Sequence, residues 1–209
     1  MIRIMIADDH AIVRKGLKQI IEENHQMRVV AEYANGIDAL RWLLSNECDV
    51  VLLDISMPGM NGIDLLKQLR LEKPKLPVLI LSSYSEDQYA VRLIKAGAAG
   101  YLVKESALEV VIKAVQRVAG GKKYITESVA EMLAGDHDTT SCKLLHETLS
   151  DREYQILLLL ASAQTVSEIA DTLSLSVKTI STYRTRILEK MHLRNNAEIM
   201  QYAIENQLI

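Results

Sequence analysis

Phenylalanine is absent from the 209 residues, tryptophan occurs once, and there are only three prolines and two cysteines. Without phenylalanine the interior must be built from aliphatic side chains, and an apolar content of 49% is enough to do so in two small domains. Cys48 and Cys142 lie far apart in the chain and form neither a metal-ligand pattern nor a disulfide framework. They read as two reduced thiols in a cytosolic protein. There is no excess of basic charge, since 24 Lys and Arg face 27 Asp and Glu for a net charge of −3. That balance excludes a generally basic nucleic-acid coat and does not suggest a membrane-surface binder. No apolar run approaches membrane-spanning length, and the strand-like stretch Met1 to Ala7 is too short for a signal peptide. Glycine is also missing after that first run, where Ala7-Asp8-Asp9-His10 stands in place of the glycine-rich turn that a P-loop or dinucleotide site requires.

One stretch organises what is present. Asp49-Val50-Val51-Leu52-Leu53-Asp54 reads as a strand buried on both faces that ends on a carboxylate, and Pro58, Gly59 and Gly62 then turn the chain away. Further strands are expected over Ile2 to Ala7, Met27 to Tyr33, Pro77 to Leu81 and Gly100 to Val103. Between them apolar residues recur at helical spacing, as in Ile12, Val13, Leu17, Ile20 and Ile21, or Leu108, Val111, Ile112, Val115 and Val118. Five strands alternating with helices imply an α/β fold, a doubly wound five-stranded parallel sheet over residues 1–119.

Residues 120–147 read as a linker, opened by Gly120-Gly121, polar between Gly135 and Ser141, with a short helix over Glu127 to Leu133. From residue 148 to 209 the pattern becomes all-α. Ser150 with Glu153 and Thr165 with Glu168 form two capping boxes, Ser176 caps a third helix and Asn195 a fourth. Helices this short must pack on one another to be stable.

In a parallel sheet the carboxyl ends of the strands share one edge, where ligands bind. That edge would gather Asp8 and Asp9 after the first strand, Asp54 after the third, Ser82 after the fourth and Lys104 after the fifth. Taken singly, each has an ordinary role: a helix cap, a turn-closing hydroxyl, a solvated charge. Together, three crowded carboxylates call for a cation, and an all-oxygen site suits Mg²⁺. A phosphate would follow the metal, with Lys104 and Ser82 on its oxygens and Asp54 as a nucleophile toward phosphorus.

The set Asp8-Asp9, Asp54 with Met57-Pro58 and Gly62, Ser82, and Gly100-Tyr101 before Lys104 resembles the receiver domain of two-component response regulators, a flavodoxin-like fold. The resemblance implies that Asp54 accepts a phosphoryl group from a sensor histidine kinase. It further implies that Asp9, Asp54 and the backbone carbonyl of Ser56 bind Mg²⁺, with Asp8 reaching it through water, and that Ser82 follows the phosphoryl group while Tyr101 turns inward. Ser82 stands where many members carry Thr, which keeps the hydroxyl. A phosphatase of the haloacid-dehalogenase type would carry a second Asp at position 56, where this chain has Ser, so the chain reads as a non-enzyme.

In the helix from Val177 to Met191, Val177, Ile180, Ile187, Leu188 and Met191 form one stripe expected to pack inward. Lys178, Ser181, Thr182, Thr185 and Glu189 lie opposite, flanked by Arg184 and Arg186. Small hydroxyl side chains rimmed by cations fit a major groove. Leu149-Ser150-Asp151-Arg152-Glu153, Glu168-Ile169-Ala170 and Lys178-Thr179-Ile180 resemble the LuxR-type helix-turn-helix domain. With the receiver they are similar to the NarL/FixJ class, and Lys178 to Arg184 looks like the branch that includes BvgA, EvgA and GacA. By that resemblance Ser181, Thr182 and Thr185 face bases, and Lys178, Thr179, Tyr183 and Arg186 hold phosphates of double-stranded DNA. Ala163, Val166, Ser167, Ser181, Tyr183 and Asn196 depart from the usual LuxR pattern. The expected protein is a cytoplasmic transcription regulator that pairs as a homodimer when phosphorylated, its last helix forming the dimer contact on DNA, with RNA polymerase as a further partner.

Overall fold

The computed structural model describes residues 1–106, 108–135, 144–206 and 208–209; Cys142 and most of the polar stretch between Gly135 and Ser141 lie outside the described residues. The chain divides into two compact units, Met1–Gly135 and Asp136–Ile209. Among the described residues no helix is long and apolar enough to cross a membrane.

In the first unit β1 (Ile2–Ala7), β2 (Met27–Tyr33), β3 (Val50–Leu53), β4 (Val78–Ser82) and β5 (Gly100–Val103) alternate with α1 (Ala11–Glu23), α2 (Gly36–Ser45), α3 (Gly62–Glu72), α4 (Glu86–Lys95) and α5 (Leu108–Ala119). All five strands are parallel, in the order β2-β1-β3-β4-β5. This is the expected doubly wound sheet. Asp49 and Pro77 stay just outside their strands: the Asp49 carboxylate accepts the Arg3 N–H at 2.7 Å, and Pro77 has no N–H to offer a ladder.

Every residue of β3 is buried, and alternate strand residues feed two cores. On one face Ile4, Ile6, Val50, Leu52, Leu79, Leu81 and Leu102 meet Leu17 and Ile21 of α1 and Val111, Ala114, Val115 and Val118 of α5. The interior is mainly aliphatic, as the missing phenylalanine requires, although Tyr89 and Tyr101 are buried in it as well. Cys48 is a buried free thiol beside β3, and burial pushes its pKa up to about 12. The sheet order reverses between β1 and β3, so the residues after these two strands flank the crevice where α/β sheets bind ligands.

Gly121 stops α5 in a left-handed conformation (φ 76°), with Lys122 N–H donating to Arg117 O at 3.2 Å. The chain then passes the edge strand, where Tyr124 forms a parallel bridge with Gly100, and continues into α6 (Glu127–Gly135), which packs against α4.

In the second unit a 3₁₀ turn at Leu145–Thr148 leads into α7 (Asp151–Ala161), α8 (Val166–Thr172), α9 (Val177–Met191) and α10 (Asn196–Glu205). All four expected caps form: Ser150, Thr165, Ser176 and Asn195 each accept the backbone N–H three residues on. α7 packs against α8, α9 and α10. Ile180, Ile187 and Met191 of α9 are buried and Leu188 is half-buried, but Val177 is 50% exposed, because it stands in the first turn at the margin of the stripe. After α7, Ala163 adopts φ 62°, a left-handed conformation that glycine enters without steric penalty. The alanine that departs from the LuxR pattern is therefore held in a conformation that disfavours it.

Glu153 ties this unit together. Its carboxylate accepts Ser150 N–H and Oγ, both at 2.8 Å, and pairs with Lys190 Nζ of α9 at 2.7 Å. Burial alone would raise its pKa; the hydrogen bonds from Lys190 and Ser150 outweigh burial and hold it below the usual glutamate range. A folded-state pKa below the unfolded one adds stability at pH above the ordinary glutamate value, and that stability disappears as pH falls through both. Glu153→Gln should cost about 2 kcal/mol at pH 7. It should also flatten the loss of stability between pH 5 and 3 that chemical denaturation of the unchanged protein will display.

Candidate functional site

The paired strands β1 and β3 bring their following residues together, with Asp54 N–H donating to Ala7 O at 2.8 Å, while on the other side of β1 Asp8 N–H donates to Tyr33 O of β2 at 3.0 Å. Asp8 is 1% exposed and Asp54 2% exposed. Two buried carboxylates this close would repel, and one ammonium lies between them: Lys104 Nζ is 2.9 Å from Asp54 Oδ2 and 2.8 Å from Asp8 Oδ2. Burial is the largest influence on Asp54 and raises its pKa; Lys104 pulls it back, Asp8 pushes it up again, and the result is about 6. Burial would likewise lower Lys104, but Asp54 and Asp8 more than compensate and hold its pKa above the usual lysine value.

Asp9 is more open, with 34% of its side chain exposed. Asp8, Asp9, His10 and Asp54 each offer a ligand atom, all within 4.8 Å of one another, so the cluster can hold a metal ion. Its carboxylate oxygens suit a hard divalent cation. Ser56 joins the site through its N–H, which donates to Asp54 Oδ1 at 3.3 Å. The turn after Asp54 must come back very close, because a side chain on Gly62 would strike the Asp54 carbonyl. That contact explains why the glycine follows the carboxylate at this spacing.

Ser82 is 1% exposed, and its Oγ accepts Tyr84 N–H at 3.1 Å. Tyr101 already lies inward, 2% exposed, with its hydroxyl donating to Tyr84 O at 2.7 Å, the position that the resemblance ties to the phosphorylated arrangement. Burial raises the Tyr101 phenol well above its ordinary pKa, so it remains a donor. Ser82 and Tyr101 thus grip one residue of the β4–α4 loop from two sides. His10 was not singled out from the sequence. Its Nδ1 lies 2.7 Å from Asp9 Oδ1 and 3.2 Å from Asp8 Oδ1, and nothing in the sequence beyond adjacency to the two aspartates signals this.

On α9, Lys178, Thr179, Thr182, Tyr183 and Arg186, with Ser176, line a cleft of about 310 Å³. Ser181 and Thr185 are exposed on the same helix, outside the cleft lining. Thr182 and Thr185 donate their hydroxyls to the carbonyls of Lys178 (2.9 Å) and Ser181 (3.1 Å). Two of the five cations between Lys178 and Arg194 are engaged within the unit: Arg184 Nε donates to Asn196 Oδ1 at 2.6 Å and Lys190 pairs with Glu153. Arg184 therefore faces α10 instead of flanking the hydroxyl-bearing side. Lys178, Arg186 and Arg194 stay exposed.

Without divalent cations, the Asp54 carboxyl should titrate near pH 6. Lys104→Ala should move that titration upward, since it removes the charge that opposes burial. Carboxyl carbon shifts of the aspartates measured by NMR in metal-free buffer test both expectations.

Comparison with known proteins agrees with both halves of the chain. The family model for the response regulator receiver domain matches residues 4–116, and that for bacterial regulatory proteins of the luxR family matches residues 147–203. Response regulator UvrY of Escherichia coli (strain K12) is 34% identical over 209 residues, spanning 100% of this chain and 96% of the relative. Response regulator GacA of Pseudomonas aeruginosa is 34% identical over 215 residues, spanning 100% of this chain and 98% of its own. The solved structure of RcsB from Salmonella enterica serovar Typhimurium, bound to promoter rprA with the phosphomimetic BeF3⁻, superposes with a TM-score of 0.66 at 26% identity and covers 97% of this chain and 98% of that one. The chain belongs to the NarL/FixJ-type response regulators, a family of transcription regulators that join a receiver domain to a luxR-type helix-turn-helix domain.

Proposed function

We propose that Asp54 is the phosphoacceptor and that its phosphorylation by a sensor histidine kinase controls pairing of the chain and its binding to promoter DNA. In this reading residues 1–119 are the receiver, 120–147 the linker and 148–209 the DNA-binding domain. The observation that carries it is the buried Asp54 sharing one Lys104 ammonium with Asp8 at the sheet's carboxyl edge.

An Asp54 oxygen attacks phosphorus as the bond to the donor imidazole nitrogen breaks. The electron pair returns to the imidazole, which takes up a proton. Asp8, Asp9, Asp54 and the Ser56 carbonyl would hold Mg²⁺, which would supply a counter-charge to the phosphoryl oxygens. Lys104 neutralises a further oxygen and Ser82 donates a hydrogen bond to another. The Ser82 movement draws on the loop that Tyr101 holds, which converts a new doubly charged group into a changed surface. The protein acts in the cytoplasm, and bound DNA brings RNA polymerase within reach as a partner.

The helical domain lays α9 in the major groove, with Ser181, Thr182 and Thr185 at base edges and Lys178, Thr179, Tyr183 and Arg186 on phosphates. Two copies occupy half-sites about one helical turn apart. Of the proposed phosphate contacts, Lys178, Thr179, Tyr183 and Arg186, only Lys178 and Arg186 carry charge. The slope of log affinity against log salt for a dimer should then be about −4, at about −0.9 for each neutralised phosphate. Lys178→Ala should make it shallower by about 1 per copy, which fluorescence titration at several salt concentrations will measure.

The switch itself is tested with Asp54→Asn. With Mg²⁺ and a small-molecule phosphodonor, the unchanged protein should shift toward dimer in sedimentation analysis and enrich paired half-sites from genomic fragments, and the variant should do neither. Equal enrichment in all conditions would mean that DNA binding is not gated by the receiver.

A further inference from the structure

The outward face of α9 differs in chemistry from its flank. On the flank Lys178, Thr179, Tyr183 and Arg186 line the cleft, and both cations there are exposed. Two further cations of the helix are engaged elsewhere, Arg184 with Asn196 Oδ1 at 2.6 Å and Lys190 with Glu153 at 2.7 Å. Ser181, Thr182 and Thr185 are exposed on the side away from the buried Ile180, Ile187 and Met191. None of the three is charged, and Glu189, exposed one turn beyond Thr185, is an acceptor.

The hydroxyl hydrogens of the two threonines are already used. Thr182 Oγ1 donates to Lys178 O at 2.9 Å and Thr185 Oγ1 to Ser181 O at 3.1 Å, each closing on its own helix one turn back. A hydroxyl has one hydrogen, so what these residues still offer is lone pairs and a γ-methyl group. Such a face accepts hydrogen bonds and makes apolar contacts. In the major groove guanine shows two acceptors, O6 and N7, and is distinguished by a side chain that brings two donors, arginine or lysine. Ser181 has a single hydroxyl and cannot make that paired contact. Thymine shows a methyl group, and adenine and cytosine show amino hydrogens. These are the groups that the threonine face complements.

We propose that α9 reads its half-site through Thr182 and Thr185, which meet thymine methyl groups and accept from adenine or cytosine amino groups, with no paired-donor contact to guanine. The proposal rests on α9 lying in the major groove with these residues toward the bases. Burying a methyl group against a methyl group removes apolar surface from water without requiring either threonine to give up its bond to the helix.

Fluorescence anisotropy tests this with the full chain, Mg²⁺ and acetyl phosphate at fixed salt, on a duplex selected by the protein from a randomised pool. Replacing thymine by deoxyuridine removes only the methyl group, and at one or more positions in each half-site it should weaken binding about fourfold per methyl. Replacing guanine by 7-deazaguanine removes N7 and should leave affinity unchanged at every position. Thr182→Val and Thr185→Val keep a methyl group in place and should retain the deoxyuridine penalty. Thr182→Ser and Thr185→Ser should each weaken binding to the thymine duplex and abolish the penalty at the base that residue faced. Lys178→Ala and Arg186→Ala should weaken binding to every duplex alike. Loss of affinity with 7-deazaguanine, thymines that can all be replaced without loss, or a penalty that persists in both serine variants overturns the proposal, while the Lys178 and Arg186 effects keep α9 on the DNA. If neither those two variants nor the threonine variants change binding, α9 is not the helix that faces DNA, and the reading beneath the proposal falls with it. A pool that yields no preferred duplex overturns both.

Discussion

The site depends on one ammonium shared by two buried carboxylates. Lys104 lies within 3 Å of both Asp54 and Asp8, so the crevice holds one more negative charge than positive even before Asp9 is counted. The deficit favours any further cation that reaches the carboxylates, while burial, against the pull of Lys104, keeps Asp54 more basic than an exposed aspartate, as a nucleophile benefits from being.

Holding that imbalance in place requires a stiff frame. β1 and β3 are neighbours in the sheet, their residues almost entirely aliphatic and buried, and the two carboxylates follow their last residues directly. Gly62 lets the next helix begin against the Asp54 carbonyl. In the second unit short capped helices achieve comparable rigidity by different means, with Glu153 serving both as the capping-box acceptor of α7 and as the partner of Lys190 in α9.

The strands, the helix caps and the convergence of Asp8, Asp9, Asp54, Ser82 and Lys104 on one edge were readable in the sequence, because each follows from a local rule: a buried strand lacks polar alternation, a cap needs a short polar side chain, and parallel strands share a direction. The roles of Arg184 and His10 were not. Helical periodicity assigns a residue to a stripe, but a long side chain such as that of Arg184 is directed by the acceptor it finds, here Asn196 on another helix. The same limit applies to α6. Its apolar spacing announces a short helix, whereas its docking on α4 depends on Thr126 meeting Glu86, 40 residues earlier in the chain. Val177 misled for the opposite reason, since a first-turn residue can have the right spacing and still project past everything the helix packs on.

The bridge between Tyr124 and Gly100 bears on how the protein behaves when crowded. β5 is a terminal strand of the sheet, and an unpaired strand edge is a template on which other chains can add. The chain covers part of this edge with its own backbone, at the place where glycine leaves the strand least protected by side chains. Each time that cover lifts, ladder groups of a short, apolar strand are offered to whatever lies nearby. Solubility at high concentration is then tied to how seldom and how briefly the segment opens, which places an upper bound on how readily such a contact can be weakened without inviting aggregation.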